Sequence, residues 1–423
     1  MKIKHYDKIH EKVYSEKLNN GLSVFVIPKK DFSRKYAFFA TNYGGADRRF
    51  KVGGEWIDTP EGVAHFLEHK MFDTENGNAL VALSANGASP NAYTSSEMTA
   101  YYFSCTDNFN ENLKTLLSFV SVPYFTSESV AKEQGIIGQE IRMTDDEPEY
   151  ALYFNLMKCL YSHHPLRYSV AGTVESIAQI TENTLYDCHK IFYNPSNMVL
   201  CVIGDVDANT VIEIANDILP KSAGEIPARD YGEEESASSS TSSVAVSMDI
   251  GMPMFAMGFK CGKVENGTEF LKTDLIASLS LSILAGKSSK LYADLYSHSL
   301  VSDSFSAEYE TVTDQSHIII SGESNDPQAV SDMLRAEIDR INDNGIDVGY
   351  FNRIKKSYHG KLIRSLNSFE NTCAGIASTY FKGCSYFDRI SVLDAITKDD
   401  VEKFIRNNLT PEKFAISIIT PNN

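Results

Sequence analysis

The sequence predicts an α+β fold made of two related domains. The chain has 423 residues, of which 43% are hydrophobic and 22% charged, and this length favours two packed domains over one. Strand-like and helix-like patterns alternate in both halves. Two segments also recur in the same order: "AFFATNYGG" is followed later by "MFAMGFKCG", and "YNPSNMVLCVIGD" by "LTPEKFAISIITPN". Ordered repetition of this kind indicates an internal duplication.

A change of composition places the domain boundary. The run "GEEESASSSTSSV" is charged and rich in serine. It cannot bury itself, and therefore predicts an exposed linker or a long loop between domains. We expect an N-terminal domain over residues 1–228, the linker over 229–244 and a C-terminal domain over 245–423.

The first half begins with strands. Asn20-Gly21 predicts a hairpin turn between a short first strand and a β-rich stretch from Leu22 to Ile27. "KYAFFATNYGG" predicts the next strand, and residues 46–58 a polar connection. Further along, the patterns predict a strand over Tyr101–Cys105, helices over 108–121, 127–144, 147–161 and 208–219, and a buried strand before Gly204.

The segment "TPEGVAHFLEHKMF" predicts a helix by features independent of any motif. Thr59 offers a hydroxyl N-cap, and Pro60 stands where no amide donor is needed. Four apolar residues recur at positions that would pack inward: Val63, Phe66, Leu67 and Met71.

This helix also carries a candidate metal site. His65 and His69 are four residues apart and so share one helix face, with Glu68 beside them. Zinc binds neutral imidazoles and, in catalytic sites, keeps one position for water, whose proton a nearby carboxylate can take. The alternative is two ordinary histidines on a helix. A chance H-x-x-E-H is uncommon in a chain with only 10 histidines.

H-x-x-E-H is the inverted zinc motif of the inverzincins. The sequence resembles the M16 (pitrilysin/insulinase) zinc metallopeptidases, especially the short bacterial two-domain M16B-like members. The resemblance runs through "NYGGADRRF", "TPEGVAHFLEHKMF", "NGASPNAYTSSEMTAYYFSC", "EQGIIGQEIRM" and "NPSNMVLCVIGDVD". It implies two related domains, each a mostly antiparallel sheet faced by helices, forming a clamshell of the LuxS/MPP-like metallohydrolase type.

The resemblance also implies roles for individual residues. The zinc ligands would be His65, His69 and Glu140, the catalytic carboxylates Glu68 and Glu133, with Glu133 orienting the site, and the substrate-binding residues Asn91, Ala92 and Tyr93. Two alternatives stay open. Carboxylates spaced like Glu133 and Glu140 commonly line solvent, and residues 91–93 could form a turn before a buried strand. The second half has no H-x-x-E-H, so one Zn²⁺ per chain is expected.

One departure from the family concerns an Arg/Tyr pair of the C-terminal half, which in active members binds substrate and stabilises the oxyanion. Aligned through "SSKL", its two positions are Tyr296 and Asp303 here. The expected function is therefore zinc-dependent endopeptidase cleavage of short or unfolded peptides in a chamber, with a paralogous M16 partner chain supplying the pair, or as a homodimer. The alternatives are a component of a protein-modification pathway of the elongation factor P type and a non-proteolytic assembly subunit.

Charge and composition limit the remaining possibilities. A formal net charge of -17 argues against nucleic-acid and anionic-membrane partners. The sequence shows neither a signal-peptide pattern nor a long apolar run, so a cytoplasmic location is expected. The seven cysteines form no C-x-x-C pair and are expected to be reduced core residues. His163 and His164 precede Pro165, which favours a loop over a second metal site.

Overall fold

The computed structural model describes residues 1–422. The strands are β1 Lys2–Tyr6, β2 Glu11–Lys17, β3 Ser23–Pro28, β4 Lys35–Thr41, β5 Arg49–Val52, β6 Glu55–Asp58, β7 Asp73–Thr74, β8 Gly77–Asn78, β9 Ala88–Thr94, β10 Thr99–Cys105, β11 Met198–Gly204, β12 Ala228–Arg229, β13 Ser243–Met248, β14 Met254–Lys263, β15 Ser306–Val312, β16 Gln315–Glu323 and β17 Phe414–Pro421.

The helices cover the predicted segments of the first half to within one or two residues. They are α1 Val63–Met71, α2 Ala79–Ala85, α3 Phe109–Ser121, α4 Ser127–Asp145, α5 Pro148–Leu160, α6 Val174–Ile177, α7 Glu182–Phe192, α8 Ala208–Ile218, α9 Thr268–Leu284, α10 Lys290–Ser297, α11 Pro327–Asn344, α12 Val348–Ser365, α13 Phe369–Phe381, α14 Arg389–Ala395 and α15 Lys398–Asn408. Helix α1 is the exception, since it starts later than its N-cap pattern predicts.

The chain divides into two compact units, and each contains one large sheet. The first unit has seven strands in the order β1-β2-β3-β11-β4-β10-β9, and the second has five in the order β13-β17-β14-β16-β15. Each sheet is antiparallel apart from one parallel pair, β3 with β11 and β13 with β17. The last five strands of the first sheet therefore match the second sheet strand for strand. The predicted α+β class and the duplication are both confirmed.

The units are not continuous in sequence. The first consists of Met1–Arg142, Tyr168–Tyr231 and Ser365–Phe381, and the second of Met143–Arg167, Gly232–Arg364 and Lys382–Asn423. Helix α5 packs on β14 and β17, whereas α13 packs on β4 and β11. The predicted domains divide the chain once, at residues 229–244. The two units differ from them because α5 belongs to the second unit and α13 to the first. A composition shift marks an exposed stretch of chain, but it does not show which sheet an apolar helix will cover.

The first hairpin forms where the sequence predicts it. Strands β2 and β3 pair antiparallel, and Gly21 in the turn between them has a φ of +91°. A Cβ on Gly21 would come within 2.4 Å of Ser196 Oγ. Both the left-handed conformation and the close approach require glycine there.

The polar connection over residues 46–58 is in part a hairpin. Strands β5 and β6 pair antiparallel and join β12 in a three-stranded sheet. All four residues of β6 are exposed. Ion pairs of Arg49 with Asp58 and Asp230 tie these strands together. Phe50 of β5 is buried in the core, but the whole of β6 is exposed, so the sequence carries no alternating pattern that would predict the hairpin.

The expected linker is anchored by buried charges. Arg229, at its start, pairs with the buried carboxylate of Asp47 at 2.8 Å. Glu235, whose side chain is 3% exposed, pairs with Lys260 at 2.7 Å and accepts backbone hydrogen bonds from Ser162, His163 and His164 at 2.6–3.0 Å. The expectation of a wholly exposed linker is wrong at these positions, because composition does not reveal a buried partner.

Candidate metal centre

Helix α1 begins later than its N-cap pattern predicts. It starts at Val63 with Gly62 as N-cap, at a φ of +92°. The Thr59 hydroxyl instead donates to the carbonyl oxygen of Arg48 at 3.1 Å. A Cβ on Gly62 would lie 2.5 Å from the Ala171 carbonyl oxygen, so glycine lets the chain preceding α1 approach this segment closely. The helix is confirmed, but Thr59 does not cap it.

Burial of the apolar stripe orients α1. The side chains that pack into the core are Val63, Ala64, Phe66, Leu67 and Met71. His65, Glu68 and His69 lie away from this stripe and are only partly buried. Because α1 packs one face against the core, both histidines lie together on its other, open face.

Helix α4 brings the predicted third ligand to this face. Ile137 and Ile141 are buried in the core, and Glu140 projects towards α1. Its Oε1 lies 3.5 Å from His65 Nε2, and its Oε2 lies 3.5 Å from His69 Nε2. One ligand atom from each of the three residues lies within 4.8 Å of the others.

The Glu140 carboxylate is only partly enclosed by protein. Ile136, four residues before Glu140 on α4, is 47% exposed. The Glu140 side chain is 42% exposed. Only Ile137 and Ile141 turn into the core, because a helix cannot bury all of its sides against one sheet. The centre is therefore open to solvent on the Glu140 side.

Glu133 supports one of the two imidazoles. Its Oε1 lies 3.0 Å from His69 Nδ1. A carboxylate at Nδ1 keeps the proton there and leaves Nε2 with a free lone pair, directed at Glu140. The equivalent atom of His65, Nδ1, is buried without a hydrogen-bond partner among residues 1–422. The two histidines are therefore held differently.

The cluster favours positive charge. Burial lowers the pKa of His69, but the hydrogen bond to Glu133 and the charges of Glu68 and Glu140 outweigh it, so that this pKa is raised. The hydrogen bond with His65 and the nearby imidazoles lower the pKa of Glu140, against the effect of its burial. A proton and a metal ion would thus compete for the same nitrogen atoms.

Glu68 is oriented by a residue that the sequence analysis did not assign. The Thr94 hydroxyl, at the end of β9, donates to Glu68 Oε2 at 2.8 Å. The Tyr101 and Tyr193 hydroxyls lie 2.9 Å apart. Burial raises both phenol pKa values and Glu68 adds to the rise, so both phenols stay neutral. Thr94 follows "NAY" directly, which is the signal that could have identified it.

The predicted substrate-binding residues lie in a strand, not in a turn. Asn91, Ala92 and Tyr93 belong to β9, the outermost strand of the first sheet. The Ala92 amide donates to the Asn91 side-chain oxygen at 2.9 Å. The Tyr93 ring lies 6.2 Å from that of Tyr102, centroid to centroid. An edge strand can pair with a further strand, and contact with substrate stays a prediction for these three residues.

The donor set fits zinc. Two imidazole nitrogens and one carboxylate oxygen are a set that catalytic zinc sites use, with the remaining position left for water. Within residues 1–422 no other group of three or more histidine, cysteine or acidic side chains could hold a metal ion. All seven cysteines are free. His163 and His164 lie in a loop, and His164 Nε2 lies 2.8 Å from the Thr313 hydroxyl.

Comparison with known proteins agrees with this geometry. The profile described as insulinase (peptidase family M16) matches residues 53–174, and the profile of the M16 inactive domain matches residues 179–358. The uncharacterized zinc protease YmfH of Bacillus subtilis is 37% identical over 98% of both chains. The chain belongs to the M16 peptidase family.

Other M16 relatives extend the similarity to solved structures. An M16-like peptidase from Alicyclobacillus acidocaldarius superposes with a TM-score of 0.94 and 32% identity, over 97% of this chain and 99% of the other. A Helicobacter pylori protease, 19% identical, shares the fold with a TM-score of 0.84, over 97% of this chain and all of the other. Residues 179–358, which match the inactive-domain profile, contain none of the three residues of the metal cluster found in the described part of the chain.

The structure also locates the positions aligned with the family's Arg/Tyr pair. Tyr296 lies on α10, is 59% exposed and stacks on Tyr292 with ring centroids 5.9 Å apart. Asp303 lies beyond the end of α10, where its carbonyl oxygen accepts a hydrogen bond from Lys287 at 2.6 Å. Over the described part of the chain, no helix is both long enough and apolar enough to span a membrane.

Proposed function

We propose that this M16 protein is a zinc-dependent endopeptidase that hydrolyses short or unfolded peptides. The observation that carries the proposal is the convergence of His65, His69 and Glu140 within 4.8 Å, with Glu68 beside them. Two elements far apart in sequence, α1 and α4, provide these groups on one open face. Membership of a peptidase family and the names of its zinc protease relatives support the same activity.

In the proposed reaction His65, His69 and Glu140 hold one zinc ion, which would polarise the scissile carbonyl and lower the pKa of water. Glu68 takes the proton of the attacking water and returns it to the leaving amine nitrogen. Thr94 keeps the Glu68 carboxylate in place through its 2.8 Å hydrogen bond. Glu133 fixes the ring of His69, so that its Nε2 faces the metal position.

Substrate binding is proposed to use the free edge of β9. An extended peptide can add to this edge through main-chain hydrogen bonds, with Asn91, Ala92 and Tyr93 as contacts. Such pairing requires an extended substrate backbone, and this restricts substrates to short or unfolded peptides. The amide of Ala92, which the Asn91 side chain occupies in this structure, would exchange that partner for the substrate.

A paralogous partner chain is part of the proposal. Tyr296 and Asp303 stand where active relatives are expected to have the Arg/Tyr pair, so the pair would come from a second M16 chain. A homodimer would not provide it. The same departure favours a second candidate function, a component of a protein-modification pathway or a non-proteolytic assembly subunit, in which the fold is kept without turnover.

The experiment is hydrolysis of a quenched peptide library by the zinc-loaded chain, alone and with co-purified paralogues. Glu68→Gln should keep zinc and reduce turnover by about 10³-fold, because proton transfer typically contributes 10²–10⁴-fold. Glu111→Gln, an exposed glutamate on α3, is the matched control and should leave turnover unchanged. Undiminished turnover in Glu68→Gln would contradict the assigned role. Full activity of the isolated chain would exclude a required partner.

A further inference from the structure

Lys70 is a buried cation next to the candidate metal centre. It lies on α1, directly after His69, and its side chain is 1% exposed. Lysine is almost never fully buried without a carboxylate partner, since its ammonium loses hydration there. The position of Lys70 therefore needs a reason beyond packing.

Two carboxylates face its ammonium group. Lys70 Nζ forms an ion pair with Asp73, whose side chain is 40% exposed, and lies 3.9 Å from Glu133 Oε2. The other oxygen of Glu133, Oε1, is the one that lies 3.0 Å from His69 Nδ1. The Glu133 carboxylate is thus shared between a buried ammonium on one oxygen and the imidazole of a candidate ligand on the other.

The position of Lys70 beside Glu133 can be explained by the charges around His69. The Glu133 side chain is 15% exposed, and it acts on His69 together with the carboxylates of Glu68 and Glu140. A cation close to one oxygen of a carboxylate attracts that oxygen. The ammonium of Lys70, which Asp73 holds in place, therefore faces Oε2 of Glu133 and leaves Oε1 directed at His69 Nδ1.

We propose that Lys70 is a positioning residue that holds the Glu133 carboxylate oriented towards His69 Nδ1, and thereby strengthens zinc binding at the centre. This inference rests on the proposed zinc site. Lys70 touches neither metal position nor substrate, and it acts through Glu133. If Lys70 served only to pair with Asp73, its loss would affect stability and leave the contribution of Glu133 to zinc binding intact.

The test is a double-mutant cycle read out as zinc affinity by competition with a chelator. Lys70→Gln keeps a donor for Asp73 and removes the charge, and should weaken zinc binding about 10-fold, as loss of an outer-shell partner commonly does. Glu133→Gln should weaken it by at least as much. The double variant should bind no more weakly than Glu133→Gln, because the two residues act as one unit.

Matched controls make the outcome decisive. Lys132→Gln, at the exposed neighbour of Glu133 on α4, should bind zinc like the wild type. Lys70→Met provides a second uncharged replacement, and circular dichroism identifies which variants are folded. Wild-type affinity in a folded Lys70 variant, or additive losses in the cycle, would overturn the inference. Failure of the wild-type chain to bind zinc would overturn the proposed zinc site itself, and is seen separately.

Discussion

The two units each contain a cluster of histidine, tyrosine and acidic side chains, and the clusters differ in how their polar atoms are used. In the second unit His317 is fully buried, with Nδ1 3.0 Å from the Tyr161 hydroxyl and Nε2 3.1 Å from Glu310 Oε2. The Tyr153 hydroxyl donates to the same carboxylate at 3.1 Å. Every group of this cluster has a partner within it.

The cluster of the first unit is arranged for an added ligand. The Nε2 atoms of His65 and His69 both lie 3.5 Å from the Glu140 carboxylate, on a face that solvent reaches. Buried polar groups that pair with one another stabilise a fold, whereas two imidazoles and a carboxylate that converge on a solvent-accessible face can bind a cation. The comparison thus separates a structural cluster from a candidate site by geometry alone.

The largest expected effect is on metal binding in the first unit. His69→Ala should weaken zinc binding by more than about 10³-fold and abolish turnover, because it removes one of three ligands. The measurement is chelator competition with elemental analysis. His163→Ala, at an exposed histidine of the second unit, is the control and should bind zinc like the wild type. If His69→Ala bound zinc as tightly as the wild type, the cluster of the first unit would not be the metal site.

Loss of a buried ion pair in the second unit should lower stability and leave zinc binding unchanged. Glu235→Gln leaves Lys260, 1% exposed, without its charged partner, and should lower the free energy of unfolding by about 3 kcal/mol. Zinc affinity should not change. Chemical denaturation and chelator competition test the two halves of this statement. Glu233→Gln, at a largely exposed neighbour, should leave both quantities unchanged.

His189, a buried histidine of the first unit, should make the stability of the fold depend on pH. Burial lowers the pKa of His189 from 6.5 to about 4, against its hydrogen bond to the Val120 carbonyl. Between these values the unfolded chain binds the proton and the folded chain does not, so stability falls as pH drops from about 6.5 to 4. The full loss is about 3 kcal/mol.

His189→Gln tests this assignment, because it removes the titrating ring and keeps a donor for Val120. Stability measured by denaturant at pH 7 and pH 4.5 should then fall less on acidification than in the wild type. His5→Gln, at an exposed histidine of β1, should preserve the wild-type pH dependence. An unaltered pH dependence in His189→Gln would show that other groups cause the loss.

The smallest expected effect concerns the orientation of Glu68. Thr94→Val keeps the shape of the side chain and removes the donor to Glu68, and should lower kcat about fivefold, the equivalent of about 1 kcal/mol for one hydrogen bond. KM and zinc content should stay constant, and Thr94→Ser should restore the rate. A change in KM alone would place Thr94 in substrate binding instead.

The parts of the site set by local periodicity could be predicted from the sequence. The spacing of His65 and His69 fixes their common face as soon as α1 forms. Glu140 lies far away in sequence, and only the family resemblance connected it with them. The contacts of Thr94 and Lys70 depend on how β9 and α4 lie against α1. No spacing encodes that tertiary arrangement, so these two residues emerge only from the structure.

Contacts between distant segments also limit what the sequence predicts about the fold. The buried strands and amphipathic helices were readable because burial imposes a period on their sequences. The hairpin of β5 and β6, and the anchoring of Glu235, depend on ion pairs that leave no period. The assignment of α5 and α13 to their units depends on packing partners. Each failure thus involves a contact between segments distant in sequence.

The most direct test of the central claim is the position of bound zinc in a crystal, located by anomalous scattering at the zinc edge. The account predicts one strong peak per chain within about 2.0–2.2 Å of His65 Nε2, His69 Nε2 and a Glu140 oxygen. A zinc-loaded crystal whose only peaks lie elsewhere, for example beside His163, would contradict it.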